Sequence, residues 1–194
     1  MNDQDFQLWS SAYLYGYCVI KPQTGIAKSF QLSRGISRLQ GWPSDAACKM
    51  DDSFPKDTDL PDVVTGVGWL VVSARVQALL ASLKVASVEY LPLQILNHKG
   101  KLAAKDYFIV NPIGQVDCVD VAASKVMWNT INPELISVCA SLVLRADAVP
   151  HDLSIFRPKH LPQHIFVRTS LAQRLAQEGF LGLHFRDPST FNGS

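Results

Sequence analysis

The chain has 194 residues, 47% of them hydrophobic and 18% charged, and 18 basic against 17 acidic side chains leave a formal net charge of +1. The hydrophobic content excludes a disordered chain, the charge balance argues against a dedicated nucleic-acid binder, and a chain of this length buries enough surface to need no staple. A charged fraction below the roughly 25% usual in soluble domains implies either a generous core or an apolar surface meant for a partner.

The N-terminal stretch carries no Lys or Arg before Lys21 and includes Asp3 and Asp5. It lacks the basic region of a secretory signal, and no window approaches ~18 uninterrupted apolar residues. A cytoplasmic protein without membrane contact is expected. Cys18, Cys48, Cys118 and Cys139 form no C-x-x-C pair and have no His at metal-ligand spacing. They read as buried thiols rather than a disulfide framework.

Residues 13–20, YLYGYCVI, have strand composition, with Gly16 at a bulge. Tyr13, Tyr15 and Tyr17 would then share one face, either packed in the core or presented with Trp9 as a contact surface. Residues 25–41 contain three glycines and read as a short helix or an irregular hairpin. Residues 42–62 hold three prolines and six aspartates against Lys49 and Lys56, which predicts a long loop with one helical turn at 44–50.

Residues 67–72 predict a buried strand, Ser73 an N-cap, and Val76, Leu79, Leu80 and Leu83 one face of a helix. Residues 87–96 predict a strand with an edge or bulge at Pro92, and 97–101 a turn with a glycine at its tip. Residues 106–111 and 115–120, around Pro112–Gly114, predict a hairpin. A helical turn is expected at 124–127 and a strand at 138–145. Residues 147–163 read as loop with an extended piece at 155–157, followed by a strand at 164–168. Residues 165–185 restate 69–90: placing Thr169 on Ser73, with one gap, gives a second strand–helix–strand unit, in which Gly179 terminates the helix. Few helices and many strands give an α+β fold with a mostly antiparallel or mixed sheet.

Chemistry is sparse. There is no phosphate-binding loop, and the G-x-G at 66–68 precedes a strand rather than a helix. His160 and His164 have H-x-x-x-H spacing, but Pro162 between them argues against a helix and hence against a metal pair. His151–Asp152 lacks a nucleophile, and Asp117 and Asp120, placed on one strand, would point to opposite faces. No catalytic residue, metal or cofactor is expected.

Seven short motifs in order, GWLVVS at 68–73, VEYLP at 88–92, DYFIVN at 106–111, VDCVD at 116–120, LVLR at 142–145, IFR at 155–157 and EGFLGLHF at 178–185, resemble a bacterial family of polymorphic-toxin immunity proteins, the myxobacterial immunity-domain family. The resemblance covers residues 66–190 and leaves 1–62 as a divergent part of a single domain, 1–194. It implies a non-enzymatic protein that binds and neutralises a cognate toxin. Because the motifs read as scaffold, the toxin-facing side is expected in the divergent part. There, Asp45, Asp51, Asp52, Asp57, Asp59 and Asp62 of the 45–62 loop would enter a basic cleft, beside Trp9, Tyr13, Tyr15 and Tyr17. Two alternatives stay open: a non-catalytic adaptor or homodimer, and a hydrolytic enzyme using the 147–164 loop.

Overall fold

A computed structural model describes residues 5–22 and 26–191. Asp3 and Gly25 lie outside the described residues. The strands are β1 (Phe6–Ser11), β2 (Ile20–Pro22), β3 (Ala47–Met50), β4 (Val63–Val64), β5 (Leu70–Ser73), β6 (Val88–Leu96), β7 (Leu102–Pro112), β8 (Val126–Trp128), β9 (Ile136–Cys139), β10 (Ile155–Phe156), β11 (Ile165–Arg168) and β12 (Leu183–Arg186). The helices are α1 (Ala74–Ser82), α2 (Val121–Ser124) and α3 (Thr169–Ala176). One sheet runs β2-β3-β6-β7-β5-β4, a second runs β10-β11-β1-β12, and β8-β9 form a hairpin. The pairings are antiparallel except β3 with β6, so the fold is α+β with mixed sheets.

The internal repeat is a property of the three-dimensional structure. In the first sheet Ile109 of β7 lies between Val71 of β5 and Leu91 of β6. In the second, Leu8 of β1 lies between Phe166 of β11 and Arg186 of β12. Val71 to Phe166 and Leu91 to Arg186 are the same step of 95 residues, and β4 and β10 pair at matching registers with Val72 and Val167. Each unit is thus a strand, a helix and a parallel strand, with an antiparallel strand inserted between the two. The inserted strand follows the unit in one case (β7) and comes from the N-terminus in the other (β1). The step corrects the sequence alignment: Ser73 corresponds to Arg168, not Thr169, and no gap is needed. Helix exit fixes this register. Lys84 and Ser87 have positive φ of 51° and 56°, and Gly179 and Gly182, 95 residues on, have 66° and 82°.

The two units share a core. Leu70 and Ile165, Val72 and Val167, Val76 and Leu171, and Leu80 and Leu175 are equivalent pairs, and all eight lie in one buried cluster with Trp9 and Val110. Strand alternation sends Val71, Leu91 and Ile109 to a second cluster on the other face of the larger sheet. Leu8 and Phe166 go to a third, with Cys118, Val119, Ile136 and Cys139.

Several local expectations are overturned. Residues 13–20 are not one strand: β1 ends at Ser11, and Gly16 sits in a turn with φ 87°. The helical turn at 44–50 is replaced by β3, which is paired on both sides and buries Ala47, Cys48 and Met50. The hairpin of 106–111 with 115–120 does not form. β5 and β6 already occupy both edges of β7 there, so 115–120 makes only single bridges, from Val116 to Pro158 and Val119 to Leu144. β7 makes its hairpin with β6 instead, through the 97–101 turn, where the Asn97 side chain accepts from the Lys99 and Lys101 N–H groups. The expected 138–145 strand gives way to β9 at Ile136–Cys139, with only a single bridge at Leu144 beyond it, and the turn at 124–127 moves to α2, capped by Asp120. Pro92 does lie at a local edge: β3 covers β6 only from Gln94 to Leu96, and the Pro92 carbonyl accepts instead from Trp42 Nε1 at 2.8 Å.

The helix exits yield a prediction. A Cβ on Gly182 would lie 2.2 Å from the Val63 carbonyl oxygen, so Gly182→Ala must displace backbone. It should cost about 2–4 kcal/mol. Ser87→Gly at the equivalent position should instead stabilise, by up to about 1 kcal/mol, because it relieves a left-handed non-glycine residue. Urea unfolding midpoints of the two variants check both signs.

A candidate protein-binding surface at the 13–17 turn and the 51–62 loop

Two segments far apart in sequence meet through their backbones. Cys18 N–H donates to the Asp59 carbonyl at 2.8 Å, and Asp59 N–H donates to the Gly16 carbonyl at 3.1 Å. The Asp57 carboxylate is buried beneath this junction, where it accepts from Tyr13 Oη at 2.8 Å and Gly16 N–H at 3.3 Å. That carboxylate raises the Tyr13 pKa, first through the hydrogen bond. The Tyr13 ring lies against Phe54, centroids 5.8 Å apart. Tyr13 is 51% exposed and Phe54 38%, so this ring pair faces water, and Tyr15, in the same turn, is 86% exposed. Asp59 is exposed beside them.

The six aspartates therefore separate into different roles. Asp57 anchors the turn. Asp52 holds a small ion cluster with Lys21 at 3.2 Å, Lys49 at 2.9 Å and His98 at 3.7 Å, and Asp51 lies 3.6 Å from Lys21. These contacts keep both carboxyls below the usual range, Asp52 mainly through Lys49 and Asp51 mainly through the Ser53 N–H. Asp62 is buried and accepts from Ser73 Oγ at 2.8 Å, Arg75 at 3.1 Å and Leu181 N–H at 3.1 Å. Ser73 occupies the expected N-cap position, but its hydroxyl is spent on Asp62 rather than on α1. Asp45 and Asp59 are exposed and make no side-chain ion pair among the described residues. Much of the loop's negative charge is thus neutralised or enclosed.

The aromatic set also changes. Trp9 is 3% exposed and packs on Phe185 in the shared core, so it presents no contact surface. Tyr17 is half-buried and bridges to Asp59. Tyr13, Tyr15 and Tyr17 share no strand face. Sequence reasoning missed Phe54, whose only signal was an aromatic residue isolated in a polar loop.

The remaining titratable groups support packing. Burial pushes the thiols up, to about 11 for Cys18 and about 12 for Cys118, and all four cysteines are buried. His160 sits edge-on to Trp128 and bonds the Glu134 carbonyl, and His164 sits edge-on to Phe191. Asp117 pairs with Arg145 and Lys159. Among the described residues no group of three metal-ligating side chains occurs, and no helix is long and apolar enough to cross a membrane.

An immunity protein family, Imm11, matches residues 14–190, and the chain belongs to it. The match takes in residues 14–17 of the turn and the whole of the loop described above. A search of curated proteins finds no match.

His164 gives a prediction. Burial first, then Arg186 and Arg157, lowers its pKa to about 4. Below pH ~6.5 the unfolded chain takes up this proton before the native state does. Stability should therefore be complete above pH ~6.5 and decline as the pH falls towards 4. Thermal melts across pH 4–7 should show this slope in the native chain and a flatter one in His164→Gln.

Proposed function

We propose that the chain binds and neutralises a cognate toxin domain by protein–protein contact, without catalysis of its own. Family membership supports the toxin-immunity role. The observation that supports this binding site is the exposed Tyr13–Phe54 ring pair, with exposed Tyr15 in the same turn and buried Asp57 bonded to Tyr13 Oη and the Gly16 N–H. Tyr side chains supply large contact area at low entropic cost and are enriched where binding energy concentrates. Asp59 and Asp45 supply the loop's outward negative charge towards a basic partner. Asp51 and Asp52 contribute less, because lysines already hold them. Asp57 and Asp62 act as supports. In this reading, inhibition follows from covering the toxin's working surface in the cytoplasm.

Co-expression with any toxin domain found encoded beside the gene tests the role, with a stable 1:1 complex and restored growth as the expected outcome. On that complex Tyr15→Ala should raise Kd about 10- to 100-fold, mostly through dissociation, while the melting temperature of the free protein stays unchanged. Asp59→Lys should slow association and weaken its salt dependence. Wild-type kinetics in both variants would place the toxin on another surface.

A further inference from the structure

Residues 26–42 form a strap beside the second core cluster, with a single turn of 3-10 helix at Ser29–Ser33. Leu32 is buried in that cluster, and Ile26 and Trp42 pack against it. Polar contacts hold the rest. Asn111 Nδ2 donates to the Ile36 carbonyl at 3.0 Å, Gly114 N–H to the Gly35 carbonyl at 2.8 Å, and Gln115 Nε2 to the Arg34 carbonyl at 2.9 Å. Glu89 of β6 accepts from Ser37 Oγ and the Arg38 N–H. The strap is thus fixed to β6, β7 and the 114–115 turn, and its outer face is set before any partner arrives.

That face is basic. Residues 26–44 contain Lys28, Arg34 and Arg38 and no acidic residue. The Arg34 guanidinium lies over the Phe30 ring at 5.8 Å and that of Arg38 over Trp42 at 6.0 Å. Arg38 Nη1 also donates to Gln31 Oε1 at 2.7 Å and to the Lys28 carbonyl at 3.3 Å, which draws the cations together. None of the three pairs with a carboxylate among the described residues, whereas Arg75, Arg145 and Arg174 each do. From below, buried Arg157 adds a further positive charge, donating to the Leu32 carbonyl at 2.8 Å and to the Pro162 carbonyl at 2.7 Å. Against these four stand Glu89, whose oxygens are taken by Ser37, Arg38 N–H and Asn111 Nδ2, and Asp45, which follows the strap at the approach to β3. The excess is positive, on a chain whose net charge is only +1. Among the cations, Phe30 is 58% exposed, Ile36 42% and Leu39 64%.

We propose that the strap is a docking surface for an acidic polypeptide segment of a partner protein. Carboxylates of the segment face Lys28, Arg34 and Arg38, and its apolar side chains rest on Phe30, Ile36 and Leu39. The charge excess sets the sign of the occupant. The aliphatic side chains set its class. Single-stranded nucleic acid is held by phosphate contacts and by bases stacked on aromatic faces, and Ile36 and Leu39 offer neither. Arginine set among aromatic and apolar side chains is instead the composition of protein-binding hot spots. Ring contacts already hold both arginines, so little side-chain freedom is lost on binding. The surface shares no residue with the 13–17 turn and the 51–62 loop, is opposite to them in charge, and does not depend on the partner being a toxin.

A random dodecapeptide phage library panned on the full-length protein tests this, with enriched peptides resynthesised and titrated by fluorescence anisotropy. The expected peptides carry several Asp or Glu among apolar residues and bind more weakly as salt rises. Lys28→Gln and Arg34→Gln each weaken them about three- to five-fold, Phe30→Ala weakens them about ten-fold, and Tyr15→Ala leaves them unchanged. Melting curves show which variants remain folded. The two glutamine variants break no ion pair and keep the test decisive if Phe30→Ala unfolds. Failure to enrich any peptide overturns the proposal, as does enrichment of neutral or basic peptides, or binding indifferent to Arg34→Gln and Phe30→Ala. Tighter binding of oligo(dT) than of every peptide, lost in the same variants, overturns it in favour of nucleic acid. A dimer mass by light scattering that Arg34→Gln abolishes also overturns it, because the occupant would then be a second copy. Because no toxin enters the experiment, its result and that of toxin co-expression fail independently.

Discussion

The buried carboxylate of Asp62 is the constraint on which the rest of the molecule is arranged. A charge enclosed at 7% exposure is costly unless every acceptor position is met. Asp62 meets this with Ser73 and Arg75 from the start of α1 and with the Leu181 N–H from the turn between α3 and β12. One side chain thereby joins the two repeated units. The Asp62 carbonyl accepts from Ser73 N–H, and Val63 N–H donates to the Leu181 carbonyl beside it. Removing the carboxylate would leave these donors unmet and loosen both units at their junction.

From this anchor the chain before Asp62 runs back to the 13–17 turn, and the anchor determines where that surface lies. There Asp57 holds Tyr13 and Gly16 and so presents the Tyr13–Phe54 ring pair. The segment between Asp57 and Asp62, including Pro61, is pinned by the Tyr107 hydroxyl, which donates to the Pro61 carbonyl at 2.7 Å. A loop rich in proline and aspartate is therefore a fixed support. Asp57 and Asp62 act inward, as acceptors for backbone and hydroxyl groups, which is an ordinary use of this residue in turns.

The duplication explains why one core serves two sheets. Each unit buries the same helix face and the same strand face, so equivalent residues such as Leu80 and Leu175 meet in one cluster. The second unit borrows its inserted strand from the N-terminus. This is geometrically neutral, because an antiparallel ladder needs only a matching register, whichever end of the chain supplies the strand. The shared core forces Trp9 inward: it takes the place that Val110 holds in the other unit.

By itself, the sequence determined the α+β class, the two strand–helix–strand units, the buried thiols and the ordered motifs of an immunity family. These rest on local periodicity, caps and turns, which neighbouring residues decide. The tertiary structure alone decided pairing across distance: that residues 47–50 become an interior strand, that 115–120 find no free edge on β7, and that the repeat steps by 95 residues without a gap. It also decided the fate of the charges. Six aspartates in a row of loop residues look alike in sequence, yet Lys21, Arg75, Tyr13 and Leu181 enclose or neutralise four of them. Whether a carboxylate faces a partner or a hydrogen bond depends on what the rest of the chain brings to it.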